Sequence, residues 1–541
     1  MEPASLSQSN PGPNPGPNQG PNPDPRSAAG PVGRRFAFIP RRSLISALLA
    51  LAAGFALRLW MLLKFFEVSG DSQLYGAMAK NLLLHGRYAV DSNGVLHSTL
   101  IRLPGYPLFL AACFRLFGVE NYFAPACIQI ALDLAACILV ALFVWRITHR
   151  MVAAQATLWL ACLCPFTAIF CAFPLTETPT IFCIALALWA VARFQDRGDW
   201  ASALAFTFAV TWAALLRPDG ALVGIAFAVP VVLTSFRPTT PYEPSTPRKS
   251  GTLVPPIERH KNHWASAPAG HLSNLRSVSQ PHRERGGITT KLLACLLLAL
   301  IPFAAWTYRN WRAFHVVQPL APRYATDPGE PTWPGFQRWT KTWCLDFVST
   351  FHIYWNMPGA PLEVDKLPSR TFDSAAQRAQ TAQLFADYED NGEELSPTID
   401  DGFAQLARQR IADHPLRYYL WLPLGRVADM LFRPRVENLP IDLDWWVYSH
   451  HNAETRFSWF YVALNALYFL LAAIGLSLRP RLWPWPVLYV ALYFVLRCLL
   501  LATIEAPEAR YTIEFFPMLC ILGGVAISKI KRPRRLPSQA V

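Results

Sequence analysis

Charged side chains are scarce in this chain. They make up 16% of its 541 residues against 52% hydrophobic residues, and mean hydropathy is +0.22. That balance excludes a string of soluble domains and points to a polytopic membrane protein, in which about twenty apolar residues cross the bilayer as one helix. Signature motifs of soluble catalysis are missing too. No Gly-rich phosphate loop, Walker motif, HExxH helix, nucleophile elbow or Cys/His cluster occurs, which argues against nucleotide-driven chemistry and zinc hydrolysis. The eleven cysteines include no CxxC pair, and Cys344 is alone in its long polar segment, so they are read as packing thiols. No basic-aromatic module accompanies the formal charge of +13; basic flanks of membrane helices account for it without nucleic acid.

What is present is a long series of apolar runs. Residues 1–42 are rich in Pro, Asn and Gly, cannot bury enough apolar surface to fold, and are expected to form a disordered tail. The run at 44–66 is too long for a signal-peptide core and reads as an uncleaved anchor. Further spans are expected at 121–145, 152–172, 177–194, 200–216, 219–236, 290–307, 457–478, 483–503 and 512–529. Lys and Arg collect in the N-terminal tail, at 146–150, 193–197 and 479–481, in the 237–289 loop and in the 531–541 tail. These segments are therefore assigned to the cytoplasm, and ten spans with both termini inside satisfy them all.

The expected organisation is thus a membrane module at 43–236, a disordered basic cytoplasmic loop at 237–289 and a lone span at 290–307. An extracytoplasmic domain at 308–456 and C-terminal spans at 457–530 follow. In the loop, His260-Lys261-Asn262-His263 reads as a solvated basic stretch, not a metal site. The apolar stretches 108–118 and 416–432, interrupted by Arg115, Arg426 and Asp429, suit interfacial helices. Helices are expected at 372–390 and 400–412, the second capped by Asp400 or Asp401. The fold class is all-α polytopic, about 10–12 membrane helices with interfacial helices and an outer helical domain.

Candidate chemistry gathers at one face of this bundle. Asp71 opens a segment with helical apolar spacing (Leu74, Ala77, Met78, Leu82). There the helix dipole would keep the carboxylate ionised as a general base requires, although a plain N-cap role fits the spacing equally. Arg102-Leu103-Pro104-Gly105-Tyr106-Pro107 could aim a guanidinium at a phosphate, or snorkel at the interface. Glu177 stands at the outer end of a span, where an acid is costly and usually functional or paired. Asp133 lies mid-span with Arg58 as a possible partner. Arg217, Arg309 and Arg510 join Arg102 on the outer face, against the usual inward bias of positive charge, and a phosphate-bearing or polyanionic substrate would explain them. Trp333, Trp339, Trp343, Tyr354 and Trp355 could stack on sugar rings or form an interfacial belt.

These pieces resemble, in order, the GT-C glycosyltransferases that use polyprenyl-phosphate sugars. That superfamily includes protein O-mannosyltransferases, the aminoarabinose transferase acting on lipid A and the rhizobial galacturonosyltransferases. The resemblance rests on Gly70-Asp71 with Tyr75, Arg102 to Ala111, Gln129, Thr176-Glu177, Leu216-Arg217-Pro218, Tyr308-Arg309-Asn310 and Ala509-Arg510-Tyr511. It implies an inverting sugar transfer at the outer face of a plasma membrane to a lipid, glycan or protein acceptor, with Asp71 as base. Tyr75, Arg102, Tyr106, Glu177, Arg217, Arg309, Asn310, Arg510 and Tyr511 would contact substrate. Many members carry paired acids in the first outer loop. Here Gly70 and Ser72 flank Asp71 and Glu67 is four residues away, so neither metal nor other cofactor is expected. A transporter or flippase of a lipid-linked anion is the main rival, but no internal repeat supports it.

Overall fold

The computed structural model describes residues 40–68, 70–235, 285–446, 452–478 and 484–530. Of the disorder expected at 1–42 and 237–289, residues 41–42 and 285–289 instead open helices α1 and α10, while residues 1–39 and 237–284, the 479–481 turn and the 531–541 tail lie outside the described residues. Helix α1 (Arg41–Phe65) leads into α2 (Asp71–His85), a short hairpin β1 (Ala89–Ser92) and β2 (Val95–Ser98), and α3 (Gly105–Phe117). Then come α4 (Phe123–Thr148), α5 (Met151–Cys162), α6 (Pro165–Ala168), α7 (Glu177–Arg197), α8 (Trp200–Leu216), α9 (Ala221–Ser235) and α10 (Arg285–Phe314). The segment between α10 and the C-terminal helices supplies α11 (Pro334–Lys341), α12 (Phe347–Ser349), α13 (Ala375–Asp390), α14 (Pro397–Asp413) and α15 (Leu422–Phe432). The chain closes with α16 (Asn452–Ser477), α17 (Pro484–Leu501) and α18 (Phe516–Ile530).

Among the described residues six helices are long and apolar enough to cross a membrane. The bent pair Met151–Cys162 and Pro165–Ala172 makes a seventh, and Trp200–Leu216, Pro218–Val229 and Leu488–Leu501 are shorter apolar helices. Together they coincide with the ten expected spans. The protein is an all-α polytopic membrane protein.

Helix α7 lies at the centre, against α4, α8 and α9, while α18 packs on α5 and α16. Only 6% of the apolar window of α10 is buried, which sets that helix at the lipid-facing rim. Helices α16 and α18 touch backbone to backbone: a Cβ on Gly475 would lie 2.0 Å from the Leu522 carbonyl oxygen. Gly475→Ala must therefore push the helices apart. We expect a loss of about 1–3 kcal/mol, the usual cost of overpacking, seen as a lower thermal midpoint in detergent. An unchanged midpoint would show that the two helices can separate freely.

A buried ion pair locks α1 to α4. Arg58 Nε donates to Asp133 Oδ2 at 2.6 Å, and Arg58 also donates to the carbonyls of Gly54, Cys162 and Ala161. The last two carbonyls lie at the bend where α5 ends; Ala161 also accepts from the backbone N–H of Cys164, and the guanidinium supplies the donor for Cys162.

Two local features differ from expectation. The hairpin pairs Ser92 with Val95 across Asn93-Gly94, both at positive φ. That dipeptide is a two-residue turn signal which an all-helical reading overlooks. Helix α14 starts at Pro397 with Ser396 as its cap, so Asp400 does not cap it. Asp400 instead reaches across to accept from the backbone N–H of Gly335 and Phe336, satisfying the orphan amides that open α11. Trp339 and Trp343 are buried in the core of the domain built by α11–α14 with Phe385 and Phe403, and Trp333 and Tyr354 pack against it. Those four therefore support the domain, and of the five aromatics named only Trp355 borders the cavity described next.

Candidate active site

The segment between α1 and α3, α7, the α8–α9 turn, the 437–444 loop and the 508–511 segment surround a cavity of about 1380 Å³. This exceeds the roughly 300–1,000 Å³ of an ordinary small-molecule pocket, leaving room for two substrates side by side. Asp71, Tyr75, Arg102, Glu177, Arg217, Arg510 and Tyr511 all line it. They come from positions up to 440 residues apart.

Asp71 is the first residue of α2. Gly70 precedes it with φ of 50° and serves as N-cap, and no side chain caps the helix. The carboxylate is thus not spent on its own helix. Its Oδ1 accepts from Arg102 Nη2 at 2.7 Å and its Oδ2 from Arg510 Nη1 at 3.0 Å. Burial would push the carboxyl up, but Arg510 and Arg102 outweigh it and hold the group below the ordinary carboxylate value. A depressed carboxyl stabilises the fold above its unfolded pKa, and that contribution is lost as pH falls through the folded value. For activity the same sign applies: Asp71 stays ionised well into acid. We expect kcat/KM to show no acid limb from Asp71 between about pH 5 and 7. A limb in that window that moves in Asp71→Glu would contradict this.

Arg510 is held from behind by Glu508, Nε to Oε2 at 2.5 Å, and the Tyr511 hydroxyl donates to the other Glu508 oxygen. Arg102 is positioned through its backbone: the Tyr88 hydroxyl donates to the carbonyls of Arg102 and Leu103. Tyr75 stands between this cluster and a second one, and burial together with the Asp71 charge raises its phenol to about 12, so it remains protonated.

The second cluster begins with Glu177, the first residue of α7. Its Oε1 accepts from Arg217 Nη1 at 3.1 Å, and Arg217 Nε donates to Asp219 Oδ1 at 3.2 Å. Below it Arg497 pairs with Asp219 at 2.9 Å and with Glu514 at 2.7 Å, and donates twice to the Tyr511 carbonyl. Arg497 and Glu514 were missed by sequence reasoning. Their signal was an ionisable group within an apolar run, which in a membrane bundle marks a paired or functional site.

Three expected contact residues do not line the cavity. The Tyr106 hydroxyl donates to Gln129 Oε1 at 2.7 Å, and Gln129 donates to the carbonyls of Phe170 and Phe173, just ahead of Glu177. Tyr106 is fully buried, with its ring edge against Tyr75. Arg309 donates to the carbonyls of Tyr88 and Thr99, and Asn310 to that of Gln318. Each of the three turns to a backbone carbonyl or a buried amide, so they brace the loops that carry Arg102 and Glu177. Among the described residues no three His, Cys, Asp or Glu side chains converge as a metal-ligand set.

Residues 102–243, which include Arg102, Glu177 and Arg217, match the family model of dolichyl-phosphate-mannose-protein mannosyltransferase. No curated protein matches the chain significantly in sequence. Among solved structures, the chain is similar to the archaeal oligosaccharyltransferase AglB from Archaeoglobus fulgidus, in complex with an inhibitory peptide and a dolichol-phosphate. Identity there is 10% and TM-score 0.45, covering 91% of this chain and 50% of that one. It is also similar to ArnT from Cupriavidus metallidurans bound to undecaprenyl phosphate, at 14% identity and TM-score 0.35, covering 90% and 77%. The chain spans about half the length of the archaeal enzyme. The family match falls on the segment that runs from Arg102 through the Glu177–Arg217 pair, so what the chain shares with that family includes part of the cavity wall.

Proposed function

We propose that this protein moves a sugar from a polyprenyl-phosphate donor to a hydroxyl of a lipid, glycan or protein acceptor. The reaction would take place at the extracytoplasmic face of the plasma membrane, with inversion at the anomeric carbon. The observation that carries the reading is Asp71 clasped between Arg102 and Arg510 on a cavity with room for two substrates. The printed description of the matching family, a dolichyl-phosphate-mannose-dependent transferase, supports the donor class.

The chemistry follows from those charges. Asp71 takes the proton of the acceptor hydroxyl as its oxygen bonds to the anomeric carbon. The bond from that carbon to the phosphate oxygen breaks, and its electron pair stays on the polyprenyl phosphate. The added negative charge is met by Arg102 and Arg510, already poised beside the reacting groups. Those guanidiniums pair with Asp71 in this structure. Donor phosphate competes for them, and Asp71 becomes a stronger base as they turn away.

The same contacts favour metal-independent transfer, because guanidinium groups hold both Asp71 oxygens where a divalent ion would have to bind. Transfer is expected to survive EDTA; loss restored by Mg²⁺ or Mn²⁺ would overturn this part. The whole reading is tested by incubating the purified protein in proteoliposomes with undecaprenyl phosphate bearing radiolabelled sugars and a cell-envelope extract. Release of free undecaprenyl phosphate with label in the acceptor fraction is the expected result. Donor carried across the bilayer intact, with none consumed, would make the protein a carrier.

A further inference from the structure

The arginines expected from the sequence to bind a polyanion are, in the folded chain, opposed by carboxylates. Around the base, Arg102 and Arg510 face two of them, Asp71 and Glu508. In the adjoining wall Arg217 and Arg497 face three, Glu177, Asp219 and Glu514. As formal charges the first group is neutral and the second carries one negative charge in excess. Arg323, which also lines the cavity, is paired with Glu505, while Glu437 and Asp444 add carboxylates to the lining. One phosphate can draw Arg102 and Arg510 off the single carboxylate they share. Apart from the exposed Lys64, the one lysine of the lining, a second anion would meet only guanidiniums already outnumbered by acids.

What the cavity does offer is hydrogen-bond acceptance. Glu177 borders it with 1% of its surface exposed, and its Oε2 has no hydrogen-bond partner. A buried carboxylate oxygen left in that state is costly until a donor hydrogen reaches it. A hydroxyl or ammonium group supplies one; a carboxylate or phosphate repels it. Phe351 and Trp355, 43% and 45% exposed, line the same cavity, as do Glu437 and Asp444. Apolar faces next to carboxylates suit the C–H face and hydroxyls of a sugar ring.

We infer that this cavity accepts one anionic group, the phosphate of the donor. The transferred sugar and the acceptor then present hydroxyl or ammonium groups and carry no phosphate, sulfate or carboxylate there. The inference rests on the donor reading above and narrows it, excluding uronic-acid donors and phosphorylated acceptors.

Binding of undecaprenyl phosphate and undecaprenyl diphosphate to the full-length protein in nanodiscs, at one fixed ionic strength, tests it. In the diphosphate the second anion stands where a donor's sugar would. We expect the diphosphate to bind at least about tenfold more weakly, since like charges in a partly buried site are strongly disfavoured. Glu177→Gln should narrow that gap by removing the repelling charge, and Glu508→Gln, which frees Arg510, is the second variant should the first not fold. Diphosphate binding as tightly as monophosphate, or a gap unchanged in both variants, overturns the inference while leaving the donor reading standing. Failure of both lipids to bind removes the donor reading, and the inference with it.

Discussion

Asp71→Asn lowers the rate of sugar transfer by about 10²- to 10⁴-fold, the range a positioned general base contributes. Asparagine keeps the size of the side chain and the start of α2, so folding and membrane insertion are expected to stay normal. Donor binding should move the other way. Asp71 holds Arg102 at 2.7 Å and Arg510 at 3.0 Å, and a neutral amide competes for those guanidiniums far less than a carboxylate does. The variant is therefore expected to bind undecaprenyl phosphate more tightly while consuming donor more slowly. Single-turnover donor consumption and a lipid-phosphate titration on the same preparation would check both halves. A variant that transfers sugar within a fewfold of the parent would remove Asp71 from the chemistry. One that loses lipid-phosphate binding would show that the carboxylate positions the arginines instead of competing with phosphate for them.

The largest effect on stability is expected at the Arg58–Asp133 pair, whose side chains are 0% and 2% exposed and whose shortest contact is 2.5 Å. Asp133→Leu alone leaves a guanidinium without its counter-charge inside the bundle, a loss of about 3–5 kcal/mol. Replacing both residues, Arg58→Met with Asp133→Leu, removes the orphaned charge and should recover most of that loss. Recovery should stop short of complete, because the Cys162 carbonyl that Arg58 satisfies at the end of α5 would then lose that donor. Thermal unfolding in detergent of the two single variants and the double variant supplies the cycle. A double variant no more stable than Asp133→Leu would show that the carbonyl contacts, not the charge balance, hold this region.

Much of the fold was legible because membrane insertion is governed by local composition. A run such as 123–148 is apolar all round, whatever it packs against, and its residues spell out a span. The helix that starts at Asp71 was legible for a similar reason, since apolar spacing and an acid at the first turn are read within a dozen residues. Even the Arg58–Asp133 pair could be anticipated, because two opposite charges within apolar spans have few other places to go. The hairpin was legible in principle through Asn93-Gly94 but was lost in an all-helical reading.

The direction of a side chain was not legible. Tyr106, Arg309 and Asn310 sit in polar stretches at the same ends of helices as Arg102, Arg217 and Arg510, and nothing local separates the two sets. In the folded chain the first three turn inward to Gln129 and to backbone carbonyls, while the others turn to the cavity. The surplus of outer arginines suggested a polyanion for the same reason. Their partners Glu177, Asp219, Glu508 and Glu514 become apparent only when distant helices are brought together.

By itself, then, the sequence determined the placement of the apolar helices, the acid that opens α2 and the order of charged motifs. Each of these depends on transfer of a short segment out of water, a local quantity. Only the tertiary structure decided that Arg510 closes on Asp71 across 439 residues of chain and that α7 delivers Glu177 to Arg217. Ion pairing falls off within a few ångströms and depends on side-chain direction, so it exists only once helix packing has fixed which termini meet.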